Sequence, residues 1–418
     1  MVVGSVADIQ GNGRDERAMV AASLMKAIHS YLFDDRDPLL ATIFAERCFR
    51  GNDRIIKAKD VPFFIFLVES FGIDEAVMIG LHQFRVFHHF DRPIIPPRHM
   101  ALNINRLSDS DCRHILRFDS TAICTIVQRL PFATVQQTFN RDKYTLLEGF
   151  CIILLRMHYP CRWFDLTAFC CRCESSISYI FWSLVSMILQ RVKRQLVFAH
   201  EDPVRWAAYK DAFKYKGAPD DLSIAGSLDA KQVAICRPRH NQRSQYTRHK
   251  QMHCFKFQTV VVPDGLIIHT TEANSGRNHD ARIVRDSGLM LRWRASPVLS
   301  RYRLIADSAY PNNTTIVSLF TKPQMANDQD YRNFNRTMSP LREPVEWGYQ
   351  RVVKLWSLLD MKPQMRIGDV SVSDLWLIGV WLTNLVTCAE GGNQISTFYG
   401  SIKPPTLKEY LDMTLGEE

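Results

Sequence analysis

The sequence predicts an α+β protein, with a mixed β-sheet flanked by helices and preceded by an all-helical N-terminal region. Helical spacing of apolar residues dominates residues 108–197. Short apolar runs of strand type then follow one another from Ile224 to Ala306. Turn residues such as Pro263-Asp264-Gly265 separate them, which favours antiparallel neighbours. A final apolar helix is predicted over Val370–Ala389.

The composition is that of a soluble globular protein, with 46% apolar and 23% charged residues in 418. A chain of this length exceeds one hydrophobic core, so we expect more than one domain. The net charge of +9 favours an acidic partner, with nucleic acid first and an anionic membrane second. A solvated basic surface without a partner is the alternative. Eleven cysteines without a secretory signal predict reduced thiols inside the cell, and no membrane span is expected.

The composition shifts along the chain predict six segments. They are a disordered tail over 1–13, a helical region of unassigned role over 14–100, a helical domain over 101–200, a connector over 201–220, a strand-rich domain over 221–366, and a C-terminal helix and tail over 367–418.

The helical domain contains a candidate helix-turn-helix. Trp163–Cys170 and Ser175–Leu189 flank the short joint Cys171-Arg172-Cys173-Glu174. Two packed helices of a bundle are the favoured interpretation, because the second helix is mostly apolar and a recognition helix needs a polar side. The cysteines around this joint lack the paired spacing of a zinc site, so buried thiols are favoured over zinc there.

Three acids in the strand-rich domain require an explanation. Asp229 lies inside the strand-like run Ile224–Ile235, where a carboxylate must be paired or bind a metal. Asp307 ends the run Tyr302–Ala306, and Glu346 is predicted in the first turn of a helix that opens near Arg342. Two strand acids and one helix acid suit a ribonuclease-H-like nuclease core that binds divalent ions.

Each acid also has a simpler interpretation. Asp229 would be a paired structural acid, Asp307 would cap a helix that begins at Pro311-Asn312, and Glu346 would interact with the helix dipole. Glu343 lies one turn before Glu346 and competes with it for the role of third acid.

His279 and Asp280 are candidates for an auxiliary role in the same site. An N-cap at Asn278 or Asp280 is the favoured interpretation of this segment, since an apolar helix follows it.

Basic residues begin directly beside Asp229, and no Asp or Glu lies between Ala230 and Pro263. A basic hairpin of this kind would bind DNA phosphates, although a solvated face is the alternative. The candidate DNA-binding residues are Lys231, Arg237, Arg239, Arg243, Arg248, Lys250 and Arg277.

Ordered motifs give a family resemblance. Ser227-Leu228-Asp229, Tyr246-Thr247-Arg248-His249-Lys250, Gly276-Arg277-Asn278-His279-Asp280, Leu304-Ile305-Ala306-Asp307-Ser308-Ala309-Tyr310-Pro311 and Arg342-Glu343-Pro344-Val345-Glu346 follow one another in this order. From about Ser223 to Trp356 the chain resembles the DDE transposases of the PIF/Harbinger superfamily. The family usually has Gly, Thr and His after the first acid, whereas Ala230-Lys231-Gln232 follow it here.

The resemblance implies a function for these residues. Asp229, Asp307 and Glu346 would hold two Mg²⁺ or Mn²⁺ ions and cut double-stranded DNA at transposon ends. The freed 3′-hydroxyl would then attack target DNA. The resemblance further implies a nuclear site of action, a Myb-like DNA-binding partner and a homo-oligomer, with no role at a membrane. A domesticated DNA- or protein-binding factor without cleavage activity is the alternative, and a stand-alone metal nuclease is a third hypothesis.

Overall fold

The apolar runs between Ile224 and Ser318 pair into one seven-stranded mixed sheet. A computed structural model describes residues 101–197, 201–248 and 250–416, and the fold is given for these ranges. A separate hairpin of two strands precedes the sheet. The strands are β1 (Val135–Gln137), β2 (Lys143–Thr145), β3 (Ile224–Ala234), β4 (Tyr246–Thr247), β5 (Met252–Val261), β6 (Ile267–Thr270), β7 (Asn274–Ser275), β8 (Arg303–Ala306) and β9 (Ile316–Ser318).

The sheet has the strand order and directions of a ribonuclease-H-like fold. Its path is β4-β5-β3-β8-β9, and β6 and β7 pair with β5. β5 runs antiparallel to β3, whereas β8 and β9 run parallel to β3 and to each other. The predicted α+β class with a mixed sheet between helices is therefore confirmed.

Helices cover the sheet and form the preceding region. They are α1 (Asp109–Leu116), α2 (Ser120–Arg129), α3 (Leu146–His158), α4 (Thr167–Cys170), α5 (Glu174–Val197), α6 (Pro203–Tyr215), α7 (Gln242–Gln245), α8 (Asp280–Asp286), α9 (Leu289–Ala295), α10 (Lys322–Ala326), α11 (Gln329–Leu355), α12 (Val372–Glu390), α13 (Gln394–Phe398) and α14 (Leu407–Leu415). Short 3₁₀ turns lie at Ile104–Arg106, Phe164–Leu166, Asp220–Leu222, Leu299–Arg301, Ser357–Asp360 and Lys362–Gln364.

The region before the sheet is not all-helical, because β1 and β2 form a hairpin within it. Val135 pairs with Thr145, and Gln137 pairs with Lys143. Each strand has only three residues, too few for an alternating pattern to be recognised in the sequence.

The predicted connector over 201–220 contains α6. Its prolines suggested a chain break, but Pro203 occupies the first turn, where the missing N–H costs nothing. Asp202 caps the helix by accepting from the backbone N–H groups of Val204 and Arg205. The buried side chains of Trp206 and Phe213 make α6 part of the core.

α5 and α12 are the central helices of the core. Ile177, Phe181 and Leu184 of α5 are fully buried, which favours a packed helix over a DNA-reading one. α12 is long and apolar enough to cross a membrane, but 83% of its most apolar window is buried inside the protein. Its Trp376 stacks on Phe257 of β5 with ring centroids 4.9 Å apart.

α11 differs from its prediction in one respect that matters for the site. It begins at Gln329 rather than near Arg342, so Glu346 lies well inside the helix and not in its first turn. The prolines that suggested a start, Pro340 and Pro344, lie within the helix. A proline in a helix disturbs the preceding turn. In that turn the Leu341 carbonyl accepts hydrogen bonds from the Ser227 and Tyr399 hydroxyls, at 2.9 and 3.0 Å.

Several predictions concern residues outside the described ranges. They are the disordered tail over 1–13 and the helical region over 14–100. The ten cysteines of the described part of the chain are free thiols.

Candidate functional site

Asp229 and Asp307 lie side by side at the centre of the sheet. β3 and β8 are parallel neighbours in which Ser227 pairs with Ile305. Each acid lies two residues beyond its strand's member of that pair, so both side chains point to the same face. The two acids are far apart in the sequence, and they meet because β3 and β8 are adjacent parallel strands of the sheet.

The backbone around each acid fixes the carboxylate. One oxygen of Asp229 accepts from the Ala230 N–H at 2.8 Å. One oxygen of Asp307 accepts from the Ala309 N–H at 2.9 Å, which closes a turn. Asp307 does not cap a helix at Pro311-Asn312, because residues 307–315 are not helical. That alternative is therefore wrong.

The two acids are held in an unfavourable electrostatic environment. Burial raises the pKa of Asp229 to about 6, and the negative charges of Asp307 and Asp280 add to the rise. The Ala230 N–H and Arg342 oppose it. Burial also raises the pKa of Asp307, and the Asp280 charge again contributes. Three carboxylates thus repel one another near the middle of β3 and the end of β8, which is an arrangement that a cation would relieve.

Glu346 reaches this cluster through Arg342. Arg342 Nη1 lies 3.3 Å from Asp229 Oδ2, and its Nη2 lies 2.6 Å from Glu346 Oε1. Glu346 is 48% exposed, whereas Asp229 is 17% exposed. Glu343 is exposed as well, and of the two candidates for the third acid Glu346 is the one that pairs with Arg342.

Asp280 belongs to the cluster, as its predicted auxiliary role requires. It opens α8, whose N-cap is His279 and lacks a side-chain capping bond, so neither Asn278 nor Asp280 acts as the predicted cap. The ammonium of the nearly buried Lys256 donates to Asp280 Oδ1 and to the Asn278 carbonyl, each at 2.9 Å. His279 is exposed.

Tyr310 adds a buried hydroxyl to the cluster. Its side chain is 3% exposed, and its hydroxyl has no hydrogen-bond partner among the described residues. Burial raises its pKa far above the usual range, and the charges of Tyr349, Asp280, Asp229 and Asp307 add to this.

The donor set fits a hard divalent cation in its chemistry. The cluster combines four carboxylates with two cations, Lys256 and Arg342, which leaves a net negative charge. Carboxylate oxygens are the ligands that Mg²⁺ and Mn²⁺ prefer. Within the described ranges, however, no three Asp, Glu, His or Cys side chains converge closely enough to hold an ion. The predicted triad is linked by Arg342 rather than assembled around one point.

A basic groove of about 1070 Å³ lies beyond the Asn278-His279 turn. The residues that line it in the described chain include no acid; its charged and histidine side chains are Arg239, His240, Arg243, Arg277, His279 and Arg282. Three of the predicted DNA-binding residues thus lie together. Asn278 lines the groove and its carbonyl binds the Lys256 ammonium, which connects the groove to the cluster.

The other predicted basic residues lie elsewhere. Lys231 is half-buried beside the acids, and burial together with the Lys250 charge lowers its pKa. Arg237 donates to Gln242 at 3.0 Å, and Arg237, Arg248 and Lys250 are all exposed. None of these four side chains lines the groove.

Residues 228–384 match the family model of the DDE superfamily endonuclease. The match begins one residue before Asp229 and ends inside α12, beyond the predicted boundary at 366. It supports a DDE transposase-like domain with a nuclease-like function on DNA. DDE endonucleases generally use divalent metal ions. No curated protein and no solved structure matches the chain.

The region matched by the family model contains three residues that the sequence analysis did not place in the site: Lys256, Tyr310 and Arg342. Lys256 had a usable signal, because it is the only charge in the apolar strand β5. Arg342 lies four residues before Glu346, a spacing that pairs charges on a helix. Ala230, Lys231 and Gln232 continue the regular pairing of β3 with β5, so the departure from the family pattern leaves the strand intact.

Proposed function

We propose that this protein is a DDE-type DNA transposase of the PIF/Harbinger type, which cleaves transposon ends and transfers the 3′-hydroxyl to target DNA. The observation that carries the proposal is the placement of Asp229 on β3 and of Asp307 directly after β8, its parallel neighbour, where both acids are partly buried and repel each other. A partly buried pair of like charges without a ligand is costly, so a function that needs it is the simplest explanation.

The residues of the site would have different roles in phosphodiester cleavage. Asp229 and Asp307, with Glu346, would hold two Mg²⁺ or Mn²⁺ ions, which would activate the attacking oxygen and stabilise the leaving one. Lys256 fixes the turn at Asn278 and the carboxylate of Asp280. Tyr310 supplies a buried hydroxyl donor facing the acids.

The basic groove supports double-stranded DNA as the substrate, at transposon ends and at the target. Its arginines are exposed, and no acid is among the described lining residues, although Arg282 pairs with Asp286 outside the lining. Arginine binds phosphate through planar, bidentate hydrogen bonds. The groove lies next to the cluster, so a strand bound there would pass close to the carboxylates.

Cleavage of a DNA substrate in Mg²⁺ or Mn²⁺ by the wild type and Asp307→Asn tests the proposal. Asp220→Asn is the matched control, because Asp220 pairs with Lys210 and Lys214, and none of the three lines the groove. We expect the site variant to lose cleavage by about 10³-fold or more, as removal of a group that binds the catalytic metal does, and the control to retain it. Metal-dependent cutting that survives Asp307→Asn would refute the site.

One observation favours a second function, that of a domesticated transposase-derived factor that binds DNA or proteins without cutting. Arg342 already neutralises two of the predicted metal ligands. No cleavage by a folded, DNA-binding wild type would favour this reading. Cutting without joining would instead favour a stand-alone nuclease.

The proposal includes a nuclear site of action, a Myb-like DNA-binding partner and homo-oligomer formation. Because α5 is buried, the described chain lacks a recognition helix at the predicted position. This supports the need for a partner that recognises DNA. Nuclear imaging of the full chain, and co-purification with a Myb-like protein, would test these statements. Exclusion from the nucleus would contradict the first.

The groove makes a quantitative prediction about DNA binding. Arg243→Ala and Arg277→Ala should weaken binding about equally for unrelated duplexes, and each should reduce the slope of log K against log salt by about 0.9. Arg194→Ala, on α5 outside the groove, is the control. Fluorescence anisotropy across a salt series measures both quantities. Unchanged slopes in the groove variants would exclude phosphate contacts there.

A further inference from the structure

The guanidinium of Arg342 occupies the space between two acids of the predicted metal site. Its two terminal nitrogens donate to different carboxylates, Asp229 at 3.3 Å and Glu346 at 2.6 Å. The side chains of Arg342 and Asp229 are 20% and 17% exposed, so the pair is largely shielded from water. Charge-assisted hydrogen bonds of this kind are the stronger class.

The backbone holds Arg342 at this position. The Ser227 hydroxyl, on the face of β3 that carries Asp229, donates to the carbonyl of Leu341. Tyr399 donates to the same carbonyl from the C-terminal side. Because both bonds fix the turn of α11 that carries Arg342, the guanidinium can leave the acids by a change of rotamer but not by a shift of the helix.

The guanidinium and a divalent ion cannot share Asp229 without cost. One oxygen of Asp229 is bound by the Ala230 N–H and the other by Arg342. A doubly charged ion placed beside the same carboxylate would lie within a few ångströms of a positive guanidinium, and the two would repel each other. Glu346 is in the same position, since its closest charged partner is Arg342.

We propose that Arg342 is a positioning residue that acts as a resident counter-ion: it holds Asp229 and Glu346 together in the metal-free protein and must be displaced for a divalent ion to bind. This inference rests on the proposed metal-dependent function. It also accounts for the lack of a converged three-ligand group among the described residues, since the acids are arranged around a guanidinium.

Isothermal titration calorimetry of the full chain with Mn²⁺ tests the inference without a measurement of activity. Arg342→Gln removes the competing charge, and we expect Mn²⁺ to bind about tenfold more tightly. In the wild type the ion must break a charge-assisted hydrogen bond of Arg342, and in the variant it need not, which corresponds to about this factor in affinity. Arg351→Gln is the matched control, because Arg351 lies on the same helix and pairs with Glu390 away from the cluster. Its Mn²⁺ affinity should equal that of the wild type.

Arg342→Lys covers the case in which the glutamine variant fails to fold. Lysine keeps the charge but cannot donate to both carboxylates in a planar fork, so Mn²⁺ should again bind more tightly, by a smaller factor. Unchanged or weaker binding in the folded variants would overturn the inference and show that Arg342 supports the metal site. If Asp307→Asn abolishes binding in that case, the proposed function survives. If neither the wild type nor the folded Arg342→Gln variant binds Mn²⁺, both proposals fail.

Discussion

At the scale of single residues, the site is defined by carboxylates that are costly to ionise. Asp229 has a folded-state pKa of about 6 against 3.8 for the free side chain. The folded protein therefore binds more protons than the unfolded chain between these values, and stability must fall as the pH rises through this window.

A comparison of wild type with Asp229→Asn should reveal this dependence. From about pH 4 to pH 7 in metal-free buffer, the wild type should lose up to about 3 kcal/mol of stability relative to the variant. Urea unfolding at several pH values measures the difference. A difference that stays constant with pH would show that Asp229 is not buried as the structure places it.

Some of the site could be predicted at this scale and some could not. Asp229 and Asp307 were identifiable because a carboxylate in or after an apolar strand needs an explanation in the sequence itself. The partners of Arg342 and Lys256 depend on how α11 and α8 meet the sheet, and no local pattern contains that information. The orphan hydroxyl of Tyr310 is equally a product of tertiary packing.

At the scale of elements, close backbone approach shapes the basic groove. Gly276 follows β7, and a Cβ atom there would lie 2.5 Å from the Cys254 carbonyl oxygen and 2.7 Å from that of Gln245. The Ser244 carbonyl accepts from the Ser275 hydroxyl and, at 3.1 Å, from the Arg277 N–H. Two segments that line the groove are thus joined where only glycine fits.

Gly276→Ala should therefore both destabilise the fold and weaken DNA binding. We expect a loss of about 3 kcal/mol, because backbone atoms cannot yield as a flexible side chain can. Gly348→Ala is the control: its added Cβ would meet a Val261 methyl at 3.1 Å, and alanine is the better helix former. Thermal unfolding with DNA-binding assays would check both. Equal losses in the two variants would contradict the argument.

The elements themselves were predicted unevenly. β3 and β8 lie within one residue of the predicted runs Ile224–Ile235 and Tyr302–Ala306, because buried strands have a strong composition signal. α11 and α6 were misjudged where proline was taken as a helix start or a chain break. Proline is compatible with both a first turn and a helix interior whose carbonyls find other donors, and only the tertiary structure distinguishes these cases.

At the scale of the whole molecule, one core runs through the described chain. Buried apolar residues from Ile104 to Leu415 form a single cluster. The predicted strand-rich domain over 221–366 depends on residues outside it. Trp376 donates to Thr270 at 2.9 Å, and Asn384 binds both the N–H and the carbonyl of Ile267. On the other side, Tyr209 donates to the buried Asp264 at 2.6 Å.

A fragment of residues 221–366 should accordingly fail to fold, whereas residues 101–416 should fold cooperatively. Removal of α5, α6 and α12 exposes one side of β6 and leaves Asp264 buried without its partner, which costs several kcal/mol in a domain of modest total stability. Circular dichroism during urea denaturation would distinguish the fragments. A cooperative transition in the shorter fragment would show that the sheet is self-sufficient.

The domain boundaries were the least predictable feature, because composition shifts mark changes in secondary structure and not the sharing of a core. The transition from helices to strands near residue 220 is real, yet the helices on both sides pack into the same interior.

Tyr399 connects the C-terminal segment to the candidate site, although that segment contributes no acid to the site. The hydroxyls of Tyr399 and Ser227 both donate to the Leu341 carbonyl of α11, so the C-terminal segment helps to position Glu346. A substitution that loosens the segment around the buried Tyr399 would therefore displace Glu346 without changing any acid of the candidate site.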